Sequence, residues 1–82
     1  MARLIPVWSE VALDQYLGLD ADRQALVDAR MLELVDVPDG PDCRYDTDSD
    51  TWSATDHQSS GLVVYTFRPH RSRLIVLRLI YL

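Results

Sequence analysis

Arg68, His70, Arg71, Arg73, Arg78 and Tyr81 lie close together near the end of the chain, and no carboxylate follows Asp56. A guanidinium stays charged at any working pH and offers a planar fork of donors to phosphate or carboxylate. Imidazole and phenol add groups that can hold or pass a proton. Together these residues form a candidate target-binding set for an anionic partner. The plainer alternative is a solvated turn that neutralises an acidic strand beside it. Arg78 interrupts the apolar run Leu74–Leu82. A charge within such a strand has to reach solvent, a carboxylate or a ligand. Tyr81, three residues further on, should point to the opposite face.

The other reactive residues suggest less chemistry. Asp46, Asp48 and Asp50 have the first spacings of a calcium loop, but Thr51 and His57 occupy the positions where that loop needs glycine and glutamate. The three aspartates serve better as a charged edge that discourages strand addition, or as an acidic docking surface for a basic partner. Cys43, His57 and His70 are too scattered for a zinc site. One cysteine excludes an internal disulfide. Three separated glycines exclude a phosphate-cradling loop. Trp8 and Trp52 lack the interleaved basic neighbours of a base-stacking platform and are expected to pack in the core. No metal and no cofactor is expected.

The elements that position these groups can be read from the pattern. Leu4–Trp8 is a short apolar run containing Pro6, which predicts an edge strand. Ser9 caps a first helix with Ala12, Leu13, Tyr16 and Leu17 on one stripe, and Gly18 ends it. Asp20 caps a second helix of about 14 residues whose apolar face is expected at Leu26, Ala29 and Leu32, with Ala25 and Val35 alongside and Arg30 and Glu33 off the stripe. The stretch from Val37 to Asp42 contains two prolines and an Asp-Gly pair, and must be loop. A strand is expected over Asp50–Asp56, a turn at Ser59–Gly61, and two strands at Leu62–Arg68 and Arg73–Leu82. The last, apolar on both sides except at Arg78, reads as a central strand covered on both faces. The fold class is α+β: an N-terminal strand, a two-helix hairpin, then a three-stranded antiparallel sheet.

Eighty-two residues make a single domain, 1–82. The net charge of −5 disfavours nucleic-acid binding by the whole surface but leaves room for a local basic patch. All eight cations are arginine, so chemistry that needs a lysine ammonium is excluded. No apolar run approaches a membrane span, and the chain's start is unlike a signal peptide. A cytoplasmic protein without membrane contact is expected.

The string VWSEVALDQYLGL (residues 7–19), the second helix followed by Pro38, and the pairing of Leu62-Val63-Val64-Tyr65 with Ile75–Tyr81 together resemble the ParE/RelE superfamily of bacterial toxins. The resemblance covers nearly the whole chain in element order. It implies a toxin neutralised by an antitoxin protein, with either DNA gyrase or messenger RNA on the ribosome as the target. RelE-like members cleave RNA with a basic, tyrosine-containing site. Here Leu62 stands where an arginine commonly precedes the Val-Val-Tyr run, and no lysine or arginine lies between Arg44 and Arg68. The chain also ends at Leu82, where the family often continues into a basic segment. These departures favour action by binding over RNA cleavage.

The expected function is thus a ParE/RelE-like toxin component whose target-binding residues are Arg68, His70, Arg71, Arg73, Arg78 and Tyr81, with a homodimer conceivable through an open edge strand. The alternative is a small acidic interaction or inhibitor protein, encoded by a mobile element, that holds a basic partner through Asp46, Asp48 and Asp50.

Overall fold

The computed structural model describes residues 3–58 and 60–81. Leu82, at the end of the expected last strand, and Ser59 of the expected turn lie outside them. In chain order the elements are β1 (Ile5–Trp8), α1 (Glu10–Leu17), α2 (Ala21–Leu34), β2 (Arg44–Asp46), β3 (Thr51–Thr55), β4 (Gly61–Arg68) and β5 (Arg73–Tyr81), with a 3₁₀ turn at Pro69–Arg71. Both helices start as their caps dictate. The Ser9 hydroxyl accepts from the Ala12 amide at 3.1 Å, and the Asp20 carboxylate accepts from the Arg23 amide at 2.9 Å.

The sheet has five strands in the order β1-β5-β4-β3-β2 and is mixed, which corrects the three-stranded antiparallel expectation. Two strands were missing from it. β1 joins the sheet parallel to β5, with Ile5 opposite Arg73 and Trp8 opposite Val76. The Ile5 and Ser9 amides donate to the carbonyls of Ser72 and Val76. By alternation the nitrogen of Pro6 points away from β5, where its missing N–H leaves no gap in the ladder. β2, three residues long, pairs with β3 through Tyr45 and Trp52. It is too short to show an alternation of its own.

The helices cover one face of the sheet. Fully buried Val63, Tyr65, Leu74 and Val76 meet Ala12, Val27 and Leu34 there, with Ala54 at the margin. The buried face of α2 is Val27, Arg30, Met31 and Leu34. It is rotated from the expected stripe, and Leu32 is 62% exposed. The cause is Arg30, which occupies a core-facing position. Its guanidinium reaches out to Glu33 and Asp42, both at 2.8 Å, so the stripe contains a charge that apolar periodicity discards. Burial works against that charge, and the two carboxylates outweigh it and raise its pKa. The Tyr65 hydroxyl donates to the Pro38 carbonyl and ties the loop after α2 to the centre of the sheet.

The other face carries no helix among the described residues. β5 is therefore central within the sheet but covered on one side only. No helix among the described residues is long and apolar enough to cross a membrane.

Candidate functional site

Pairing register decides which side chains share the open face, because cross-strand partners point the same way. Val63 and Tyr65 point into the core, so Leu62, Val64, Thr66 and Arg68 point outward from β4. Arg68 lies opposite Arg73, and Thr66 lies opposite Ile75. A third row runs Arg44–Ser53–Val64–Arg78 across four strands. Arg44 and Arg78 then stand about 14 Å apart at their backbones, three strand spacings.

Arg78 reaches this face because of an irregularity. Val76 is buried and opposite Tyr65, and strict alternation would turn residue 78 inward. Arg78 instead pairs with Val64, and Leu77 is the extra residue of a β-bulge. Helix α1 holds the bulge. The Ser9 hydroxyl donates to the Leu77 carbonyl at 2.7 Å, and the Gln15 side-chain carbonyl accepts from the Leu79 amide at 2.6 Å. The shift of one position sends Leu79 and Tyr81 into the covered side and Arg78 out.

The eight arginines divide into two sets. Arg3, Arg23 and Arg30 are ion-paired, to Asp36, Asp20, and Glu33 with Asp42. Arg44, Arg68, Arg71, Arg73 and Arg78 make no ion pair among the described residues. Four of these five are the open-face set; Arg71 sits with His70 in the exposed turn between β4 and β5. Asp46 is the one carboxylate that the described strands place on that face, and its oxygen accepts from the Asp48 amide at 2.9 Å. The Arg68 guanidinium folds onto the Thr66 hydroxyl at 2.8 Å and the Phe67 carbonyl at 3.0 Å. Around the cations lie Ile5, Val7, Ile75 and Ile80, which leave the face apolar between its charges.

Tyr81 lies elsewhere. It points to the covered side, its ring lies against Gly61, and its hydroxyl donates to Asp56 at 2.9 Å. Asp56 is 3% exposed and also accepts from the amides of Gln58 and Ser60. Burial works against its charge, but these donors outweigh it and hold its pKa below the usual 3.8. Burial and the bond to Asp56 push the Tyr81 phenol up. The structure thus gathers Arg68, Arg73 and Arg78, adds Arg44, sets His70 and Arg71 in the adjoining turn, and separates Tyr81 from them. Arg44 was not anticipated. Its signal was the alternation with Asp46, legible only once β2 is known to pair.

The aspartate run forms a turn. Asp50 takes a left-handed conformation with φ 53°, and its carboxylate accepts from the Tyr45 hydroxyl. Asp46 holds the Asp48 amide. Two of the three carboxylates are therefore engaged in closing the β2–β3 connection. Among the described residues no group of three or more potential ligands could hold a metal.

Over 99% of its length this chain superposes on 98% of a chain of the intact E. coli RelBE toxin–antitoxin complex, with a TM-score of 0.72 and 16% identity. The fold is that of RelE. The isolated E. coli RelE toxin agrees, with a TM-score of 0.73 and 16% identity over 98% of this chain and 84% of that one. No family model matches the sequence, and no curated protein does.

Proposed function

We propose that this chain is the toxin component of a toxin–antitoxin system, and that it grips a cellular target with the open face of its sheet and is neutralised by an antitoxin. The observation that carries the reading is the division of the arginines. Arg3, Arg23 and Arg30 are ion-paired, whereas Arg44, Arg68, Arg73 and Arg78 share the open face, with Arg71 in the adjoining turn, and none of these five makes an ion pair among the described residues. Arg68 and Arg73 are directly opposed, an arrangement that costs stability in the free protein and is relieved by a bound anion. The likeness to RelE supports a toxin; the complex in which RelE's partner is bound supports an antitoxin for this chain too.

The chemistry of the face supports binding more than RNA cleavage. Guanidinium groups can neutralise phosphates but cannot exchange protons near neutral pH. The phenol of Tyr81 is held by Asp56 on the other side of the sheet. The targets that fit are the translation machinery, rich in phosphate, and an acidic surface of a gyrase-like enzyme.

Induced expression of the chain alone, beside an Arg73→Gln/Arg78→Gln variant, tests the proposal. Growth arrest by the parent and normal growth with the folded variant is the expected result. DNA supercoiling and messenger RNA integrity in the arrested cells separate the two targets. Normal growth with abundant folded parent protein would sink the reading.

A further inference from the structure

At the hairpin end of the sheet, on the covered side, an open cavity of about 340 Å³ lies between β1, the end of α2 and the β4–β5 turn. Leu4, Val37, Pro38, Phe67 and Pro69 make its walls apolar. Every charged residue that lines it is negative, namely Asp36 and Asp39, while His70 and Arg71 of the neighbouring turn do not line it. The acidity extends past the cavity. Glu33, Asp36, Asp39 and Asp42 recur at every third position through the last turn of α2 and the loop beyond. The helix has no basic residue in that last turn, so its partial negative end adds to theirs. Glu33 and Asp42 are paired with Arg30, and Asp36 with Arg3. Asp39 is exposed and has no ion pair among the described residues. The 55% exposed Val37 sits between the cavity and a second open cleft lined by Arg30 and its partners Glu33 and Asp42, with Asp36, Gly40 and Pro41.

We infer that this cavity docks a peptide segment of a partner protein carrying one bulky apolar side chain next to an arginine or lysine. The apolar side chain fills the cavity, as buried anchors do at protein interfaces, and the cation lies on Asp39 at the rim. Charge complementarity selects this occupant. An acidic segment would meet Asp36, Asp39 and the helix end, and a neutral apolar one would leave Asp39 without a counter-charge. The surface is independent of the open arginine face: a chain without toxicity could bear it, and a toxin could lack it.

The probe is an end-blocked Gly-Arg-Trp-Arg-Gly peptide titrated into the isotope-labelled full chain and followed by amide chemical shifts. Two control peptides replace both arginines by glutamate, or the tryptophan by alanine. Saturable shifts centred on Leu4, Val37, Phe67 and Ser72 are expected with the first peptide, and at least about fivefold weaker binding with either control. Asp39→Asn should weaken the first peptide about two- to fivefold without changing thermal unfolding, because its side chain is exposed. Val37→Glu should abolish the response at the cavity. Equal binding of both tryptophan peptides, shifts centred on Arg68, Arg73 and Arg78, concentration-dependent self-association in place of peptide binding, or no shifts at millimolar peptide would each overturn the inference.

Discussion

Tyr81 latches the sheet rather than facing a target. Its ring occupies the space a side chain at Gly61 would need: a Cβ there would lie 2.6 Å from the Ile80 carbonyl oxygen and 2.7 Å from the ring. Gly61→Ala should therefore cost about 1–3 kcal/mol, an overpacking penalty measurable by urea unfolding. Tyr81→Phe removes one donor from Asp56 and should cost about 1–2 kcal/mol near neutral pH. The pH dependence follows from the carboxylate. Asp56 has a folded pKa below the ordinary 3.8, so its contribution is present above the ordinary value and lost as pH falls through the folded one. The gap between parent and Tyr81→Phe should close over that acidic range; a gap of constant size would show that Tyr81 acts through packing alone. Arg73 tests the opposite kind of residue. Arg73→Glu replaces a repulsion across from Arg68 by an attraction, and should stabilise the free protein by about 0.2–1 kcal/mol while abolishing growth arrest. Loss of both stability and toxicity would mean that Arg73 has a structural role.

At the level of elements, α1 does more than cover the sheet, because its cap Ser9 and its own Gln15 hold the β5 bulge that turns Arg78 outward. Ser9→Ala loses the helix cap and the bond to Leu77 and should cost about 1–2 kcal/mol. Gln15→Leu strands the Leu79 amide in a half-buried place and should cost about 1–3 kcal/mol. Because both act on one bulge, the double variant should lose less or more than the sum, and denaturant unfolding of the four proteins in the cycle reads the coupling. Strict additivity would mean that the two bonds hold separate things. The bulge also marks where sequence reading stops. Caps at Ser9 and Asp20, the proline-bracketed loop and the two long strands carry local signals strong enough to read. The run LRLIYL carries none that distinguishes regular alternation from alternation with one residue inserted. The buried face of α2 was misread for a related reason: Arg30 is core-facing yet charged, and only the positions of Glu33 and Asp42 reveal how it is accommodated. Arg44 belonged to the site only after a three-residue strand, too short for any periodicity, had found its partner.

The whole molecule is polarised. Its net charge is −5, yet four arginines share one open face and the carboxylates concentrate on the helices and loops. It should be retained by immobilised heparin at low ionic strength despite that net charge, and released as salt shortens the range of the interaction. An Arg68→Gln/Arg73→Gln variant should pass unretained; equal retention would place the anion-binding surface elsewhere.

The parallel contact between β1 and β5 has a temporal consequence. Ile5 waits for Arg73, a partner that follows 68 positions later in synthesis. β5 lies between β1 and β4, so a chain halted on the ribosome before it emerges has neither the centre of its sheet nor a mate for its first strand. Local helices can form in such a fragment, but the long-range closure that sets the folding rate comes last. While it is being made, the nascent chain has no assembled arginine face, and its unpaired apolar strands are open to proteases and chaperones. The arginine face is completed in one late step, when the fifth strand slides between its neighbours.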